Sequence, residues 1–311
     1  MFEIFSVIYP VFGMILLGYI ATALKLINKE QLGGLGGFVI KIGIPALLII
    51  NIPAQTIADL WQPQYLVSYG LASLIMFSVM LLLYSRHYKA PLNHAAIFAL
   101  GGSMSNTGFI GSSILLLILG PSAAIYFAMT FIVENFIVFL MFLVCLEISR
   151  QKDAHAAKIL IETLKNIVKN PIIIGLTTGT VLCIFGLQLP QAMINIVEPI
   201  SKTAGPLGLF VVGGSLYGIK TLKNTGRDAR LMFLSKMLCM PLLVYLLFLC
   251  MPNTNPEMIF AGVLLSSISM VTMFSVFGQS FNLGERTSAI LLLCTVANLV
   301  TIPVIIAVLM P

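Results

Sequence analysis

The sequence predicts an all-α, polytopic membrane protein with ten transmembrane helices. Three observations support this class: the residue composition, the number of long apolar segments and the placement of basic residues. The 311 residues are 59% hydrophobic and 9% charged, whereas a soluble domain carries about 25% charged residues. A span needs roughly 20 mainly apolar residues. Segments of this kind lie near residues 4–24, 32–52, 65–84, 94–119, 122–148, 168–187, 191–218, 230–250, 257–281 and 287–309.

Lysine and arginine occur in the odd-numbered links between these segments and not in the even-numbered ones. Lys25 and Lys29 lie in the first link, for example, and Arg286 lies in the ninth. The positive-inside rule then predicts a multi-pass protein of the cell (inner) membrane with both termini outside. Since the net charge of +6 is spread over several short links, it reflects topology and does not indicate a nucleic-acid partner.

Cysteine and histidine do not show the spacing of a metal site. The five cysteines are scattered through apolar segments, and the three histidines lie in or near the basic links. Buried cysteines usually act as small hydrophobic residues. We therefore expect no metal and no cofactor, with Na⁺ or H⁺ as the remaining candidate for a coupling ion.

Three short sequence pairs predict an internal repeat. KIGIPALLII (41–50) resembles KTAGPLGLFV (202–211), GSMSNTGF (102–109) resembles SSISMVTMF (266–274), and VENFIVF (133–139) resembles VANLVTI (296–302), at offsets of 161, 165 and 163. Residues 1–150 and 168–311 are therefore predicted repeats, joined by a cytoplasmic link at 151–167. Because five spans is an odd number, the second repeat enters the membrane inverted, as in many secondary transporters.

The middle of span 4, ALGGSMSNTGFIGSSI (99–114), is small and polar, and span 9 contains a milder version. Glycine permits unusual backbone angles, and Ser, Asn and Thr can bind freed backbone groups or a ligand. We expect spans 4 and 9 to be interrupted and to cross at their breaks. The alternative is a continuous helix packed closely through small residues. The predicted substrate-binding residues are Ser103, Ser105, Asn106, Thr107, Gly108, Ser269, Thr272 and Ser275.

Glu134 is the one acidic residue near the centre of a predicted span, and Asn135 follows it. Charges inside a membrane are costly and by default mark function. Glu134 with Asn135 is therefore a candidate site for a coupling cation or proton. The alternative is a neutral glutamic acid that forms hydrogen bonds between helices.

Lys41 and Lys202 are the other two charged residues that the sequence analysis places well inside spans, at equivalent repeat positions. They are candidates for attracting an anion, and the alternative is that they reach the membrane surface or pair at a helix interface. Pro45 and Pro206 follow them by four residues, and the missing backbone donor predicts a kink at each.

The whole chain resembles the auxin efflux carrier family, whose bacterial members are often described as malate or malonate permeases. The resemblance is carried by YPVFGMILLGYIA in span 1, KIGIPALL in span 2, NTGFIG in span 4, KNPIIIGL in span 6 and GPLGLFVVGGSL in span 7. Plant members have Pro-Asn-Thr in span 4 with a glycine four residues after the Thr. This chain has Ser105-Asn106-Thr107 and Gly111, so the proline is absent.

The resemblance implies a fold related to bile-acid symporters and sodium/proton antiporters. In that fold, spans 1, 2, 6 and 7 form a scaffold, and spans 3–5 and 8–10 form a mobile transport domain. Helices 4 and 9 cross at their breaks, and Asn106 falls on this crossover. The implied function is transport of a small organic anion.

The sequence therefore predicts a secondary transporter of a mono- or dicarboxylate, such as malate or malonate, that works by alternating access. A passive anion channel and a membrane-embedded sensor are the alternatives. An intramembrane enzyme would need a paired acid and base at membrane depth, and the sequence offers Glu134 alone, so no enzyme is expected. The expected partners are the anion and the lipid bilayer, with a homodimer left open.

Overall fold

The computed structural model describes residues 2–54, 62–150, 168–218 and 226–310. Within these ranges all regular structure is helical, and the one β-type contact is an isolated bridge between Ser105 and Met270. The all-helical class is therefore confirmed. The predicted link at 151–167 lies outside the described residues.

Twelve helices are described, and several contain single π-helical turns. They are α1 (Phe2–Ala23), α2 (Lys29–Asn51), α3 (Pro63–His87), α4 (Leu92–Ser103), α5 (107–119), α6 (123–150), α7 (Pro171–Ile184), α8 (Gln191–Leu216), α9 (Gly226–Leu249), α10 (Pro256–Ser267), α11 (Met273–Ser280) and α12 (Gly284–Leu309).

Among the described residues, five helical runs are long and apolar enough to cross a membrane. They are Lys29–Asn51, Pro63–His87, Thr107–Leu146, Gly226–Leu249 and Gly284–Leu309. Three shorter apolar stretches accompany them, in α1, α7 and α10. These runs fit a multi-pass membrane protein, while the count of ten spans stays a prediction.

Local sequence explains where several of these helices begin and end. Asn28 and Gln31 form a reciprocal capping box at the start of α2, which satisfies two free backbone donors. Asn170 and Asn255 cap α7 and α10, and each is followed by a proline that needs no backbone donor there. Between α5 and α6 the chain turns at Gly120, whose φ of 61° favours glycine.

The described chain groups into two compact units. The first comprises Met1–Gln62, Thr107–Met129 and Ile167–Gly218, and the second comprises Pro63–Asn106, Thr130–Asn166 and Ile219–Pro311. The chain therefore passes from one unit to the other directly after Asn106, so that α4 and α5 fall into different units. The predicted division into scaffold and transport domains by whole spans stays a prediction.

Glycines allow the helices of the first unit to touch along their backbones. A methyl group on Gly18 of α1 would overlap the carbonyl of Phe210, and one on Gly213 of α8 would overlap the carbonyl of Ile15. Helices in lipid associate largely through such close van der Waals contact, because lipid tails are as apolar as the side chains. The α1–α8 contact therefore depends on these two glycines.

The α7–α2 contact uses a second glycine pair, four residues apart. A methyl group on Gly175 would lie 2.6 Å from the Cα of Pro45, and one on Gly179 would lie 2.7 Å from the carbonyl oxygen of Leu48. In α2 a π-helical turn precedes Pro45, and α8 runs through Pro206 as one helix. The predicted kinks at these two prolines stay predictions.

In the second unit, part of the glycine-rich stretch of span 4 serves packing. A methyl group on Gly101 would lie 2.7 Å from the ring of Phe274, and one on Gly102 would lie 2.9 Å from Met80 Cγ. The close-packing interpretation therefore applies to these two glycines, which lie within the continuous helix α4.

An ion-pair cluster joins one end each of α3, α9 and α12 in the same unit. Asp228 is buried and accepts from Tyr84 Oη at 3.3 Å, and its second oxygen lies 3.0 Å from Arg286 Nη1. The guanidinium of Arg227 also stacks over the ring of Tyr88, 4.0 Å from its centroid.

We expect Gly213→Ala to destabilise the protein by about 1–3 kcal/mol, the usual cost of overpacking. The measurement is the apparent Tm of the purified protein in detergent. Gly34→Ala is the matched control, because nothing lies within 4 Å of a methyl group there and alanine favours a helix over glycine by up to about 1 kcal/mol. Equal Tm values for the two variants would contradict the packing argument.

Candidate substrate-binding site at the interrupted helices

Two stretches of non-helical backbone lie within the second unit. Helix α4 ends at Ser103, and Met104 is extended with φ −106° and ψ 132°. Helix α10 ends at Ser267, and Ile268 is extended with φ −67° and ψ 145°. The stretches 104–106 and 268–272 therefore interrupt the helices where the small polar residues of spans 4 and 9 occur.

These two stretches run antiparallel and bind each other through their backbones. The N–H of Asn106 donates to the carbonyl of Ser269 at 2.8 Å, and the N–H of Val271 donates to that of Met104 at 3.2 Å. Each stretch thus satisfies groups that the other leaves open, as backbone outside a helix must do at membrane depth.

Side chains satisfy two further backbone donors in these stretches. The N–H of Ser105 donates to Glu134 Oε1 at 2.9 Å, and the N–H of Ser269 donates to Asn298 Oδ1 at 2.7 Å. Each acceptor follows its donor by 29 residues. By role, therefore, Glu134 corresponds to Asn298, whereas the sequence comparison had aligned Asn135 with Asn298.

Asn298 and its neighbour Thr295 were missed by the sequence analysis. Asn298 Nδ2 also donates to the carbonyl of Ser267 at 2.9 Å, so one amide serves both sides of the second interruption. Thr295 Oγ1 donates to Ser269 Oγ at 3.1 Å. The sequence signal for Asn298 is its position 29 residues after Ser269, which equals the spacing between Ser105 and Glu134 in the first repeat.

A buried charge pair lies beside the first interruption. Lys236 is 0% exposed and Glu134 is 1% exposed. Lys236 Nζ donates to Ser105 Oγ at 2.7 Å, Tyr69 Oη donates to Glu134 Oε1 at 3.2 Å, and the two charges interact electrostatically. Glu134 and Lys236 each begin or lie on a π-helical turn, a feature frequent at functional sites.

The prediction that Glu134, Lys41 and Lys202 are the charged residues well inside the spans was wrong, because it omitted Lys236, which is buried. This lysine lies six residues after the predicted start of span 8 at 230, close to the basic residues of the preceding link. A lysine there is expected to extend towards the membrane surface. Its burial depends on the position of Ser105, which lies 131 residues away in sequence.

Asn106 and Thr272 form the loosest polar contact of the site. Asn106 Nδ2 lies 3.5 Å from Thr272 Oγ1, and Thr272 is half-buried. The amide and the hydroxyl each keep a further donor or acceptor available. Thr107, the next residue, is 1% exposed, and its hydroxyl has no hydrogen-bond partner among the residues that the structure describes.

Four other predicted site residues make contacts outside this cluster. The side chains of Ser103 and Asn135 donate to the carbonyl oxygen four residues earlier, at 2.7 and 2.8 Å. Ser275 Oγ lies 2.6 Å from Ser288 Oγ, and Gly108 is half-buried on the first turn of α5. The role of these residues in binding stays a prediction.

Lys41 and Lys202 are both exposed side chains of the first unit. Lys202 Nζ lies 2.7 Å from Glu198 Oε1, and these side chains are 72% and 42% exposed. Lys202 thus makes an exposed ion pair one turn away on its own helix. A role for either lysine in attracting an anion stays a prediction.

The long apolar helices and the paired interruptions define a multi-pass helical membrane protein. The sequence profile of a family described as "Membrane transport protein" matches residues 3–306. The chain belongs to this auxin-efflux-carrier-like family of membrane transport proteins, which confirms the resemblance seen in the sequence.

Two relatives show how far the likeness extends. The chain is 25% identical over 306 residues to the "Putative malonate transporter" of Rhizobium meliloti (strain 1021), covering 97% of this chain and 94% of that protein. It is 26% identical over 254 residues to the "Lysosomal cholesterol signaling protein" of Mus musculus, covering 78% of this chain and 29% of that protein.

We expect Asn298→Ala to lower the apparent Tm more than Asn135→Ala. The first change leaves two buried backbone groups unpaired, at about 1–3 kcal/mol each, whereas the second removes a bond within one helix turn. Each variant removes the side-chain amide of one asparagine. A comparison of their apparent Tm values in the same detergent therefore isolates the contribution of the bonds at the interruption. Equal losses would contradict the role of Asn298.

Proposed function

We propose that this chain is a secondary transporter of a small organic anion, a mono- or dicarboxylate such as malonate or malate. The anion binds beside the paired interruptions and is exposed alternately to the two sides of the membrane. Membership of a membrane transport family and a full-length relative named as a malonate transporter support the class and the first substrate to test.

The observation that carries the proposal is the Asn106–Thr272 pair. The backbone groups around it are already paired with each other, so these two side chains are available for a ligand. The amide N–H and the hydroxyl lie 3.5 Å apart, and both can donate to one carboxylate group. Hydrogen bonds to a charged group contribute about 1.5–3 kcal/mol each.

The 29-residue spacing between donor and acceptor, found at both interruptions, supports an internal repeat. The antiparallel pairing of the two interruptions fits repeats of opposite orientation. The proposal accordingly keeps ten spans, crossed helices 4 and 9, and both termini outside the inner membrane. Sites between inverted repeats near the membrane centre are typical of alternating-access transporters.

The first test is counterflow of labelled malonate into liposomes containing the purified protein. Unlabelled malonate inside is expected to drive transient accumulation of label, because a carrier exchanges substrate one molecule at a time. Malate, succinate and acetate, each loaded in place of malonate, rank the substrate class. Label that equilibrates without accumulation would favour a channel, and a protein that binds malonate without flux would favour a sensor.

The second test is malonate-dependent thermal stabilisation of Asn106→Ala. A ligand at about 100 times its Kd stabilises a protein by about 2.7 kcal/mol, and losing one charged hydrogen bond weakens affinity by about tenfold or more. We therefore expect the variant to keep its fold but to lose about half or more of the malonate-induced stabilisation, because a tenfold weaker affinity lowers it to about 1.4 kcal/mol.

Asn135→Ala serves as the control, because that amide binds its own helix. It is expected to keep the full malonate-induced shift. An unchanged shift in Asn106→Ala would remove Asn106 from the site.

A further inference from the structure

Three acidic or basic side chains are buried among the described residues: Glu134, Asp228 and Lys236. Asp228 lies beside two arginines, at 3.0 Å from Arg286 and 3.5 Å from Arg227. Glu134 and Lys236 are left to balance each other. A lone buried charge is expensive in a membrane protein, so the presence of each one requires the other.

The two charges meet at one residue of the first interruption. The Lys236 ammonium donates to the side chain of Ser105 at 2.7 Å, and the Glu134 carboxylate accepts from the backbone of Ser105 at 2.9 Å. Tyr69 Oη reaches both, at 3.4 Å from Ser105 Oγ and 3.2 Å from Glu134 Oε1. The ammonium is thus held where the interrupted backbone and the carboxylate come together.

The oxygen atoms gathered at Ser105 are of the kind that binds a small monovalent cation. Ser105 and Tyr69 supply hydroxyl oxygens and Glu134 supplies a carboxylate. In many secondary transporters the coupling ion binds beside an unwound stretch of helix. In this chain the lysine places a positive charge there and donates to one of these oxygens, Ser105 Oγ.

We propose that the Lys236 ammonium is a built-in monovalent cation that replaces a coupling ion at Glu134. This proposal deepens the proposed function, on which its transport consequences rest. The carrier then moves its anion without sodium, and the anion gradient and the membrane potential supply the driving force. Lys236 acts here as a charge-balancing residue and does not contact the substrate.

Replacing the lysine with a neutral residue should make the stability of the protein depend on an external cation. In Lys236→Met the Glu134 carboxylate loses the positive charge of the lysine, and either a sodium ion or a proton can supply it instead. In the double variant Glu134→Gln/Lys236→Met neither position carries a charge, so this dependence on a cation should be absent. Among the described residues, Tyr69 from α3 and Cys294 from α12 are further titratable groups that act on the carboxylate or the ammonium.

The direct test measures the apparent Tm without any substrate, in sodium chloride against choline chloride, at one mildly acidic and one mildly alkaline pH. The wild type and the double variant are expected to show no difference between the two salts. Lys236→Met is expected to be stabilised by sodium at the alkaline pH, or by the lower pH in either salt. Lys202→Met, which removes an exposed lysine, is the matched control and should behave as the wild type.

The transport test is malonate counterflow of the same variants. Sodium is expected to raise the apparent malonate affinity of Lys236→Met by about tenfold, a usual coupling between two bound ligands, and to leave the wild type unchanged. Glu134→Gln alone leaves the lysine uncompensated, so its transport should fall and sodium should not restore it.

Several outcomes would overturn the proposal. A wild type that sodium stabilises or accelerates relative to choline would show that the ion site is still in use. A folded Lys236→Met that responds to neither cation would show that the lysine balances nothing. Failure of the double variant to fold would assign the lysine to packing, whereas failure of Lys236→Met alone, with the double variant folded, supports charge balance.

The two proposals can fail separately. Absence of counterflow with every carboxylate would remove the proposed function, and the salt-dependent Tm measurements would still decide the role of Lys236.

Discussion

Backbone groups that leave a helix at membrane depth must find partners inside the protein, and the structure of the second unit follows from this requirement. The interruptions at 104–106 and 268–272 meet this requirement first by forming backbone hydrogen bonds with each other in an antiparallel bridge. Two further donors, the N–H groups of Ser105 and Ser269, bind side chains of α6 and α12. Without these four hydrogen bonds, each unpaired backbone group in the two interruptions would cost several kcal/mol of free energy.

The two interruptions solve the same problem with different chemistry. Asn298 is neutral and serves a donor and an acceptor of the second interruption at once. Glu134 offers only acceptors and brings a negative charge, which must itself be balanced. Lys236 supplies that balance through Ser105. The charged solution costs more than the neutral one, which is the reason to look for function at Glu134.

Sequence reasoning reached some of these features for sound physical reasons. The small polar residues of span 4 indicated a break because they allow the backbone to leave the helix and can bind the groups that this frees. Glu134 was a candidate because it is the acidic residue near the centre of a predicted span. The sequence predictions failed where the position of a residue along a predicted span was used to infer its depth in the membrane. Lys236 was taken with the basic link before it, and the Val-x-Asn match aligned Asn135 with Asn298 although Glu134 performs the equivalent role. Gly101 and Gly102, taken with the break, belong to the packing of α4.

The amino-acid sequence alone determined the class of protein, its membership of a transport family and the places where helices stop, because composition, apolar length and local backbone preference act over short stretches of chain. The tertiary structure decided which polar groups meet. The bonds that define the site join residues 26 to 166 positions apart. No local pattern encodes such partners, since they depend on how α3, α4, α6, α9 and α12 pack within the second unit.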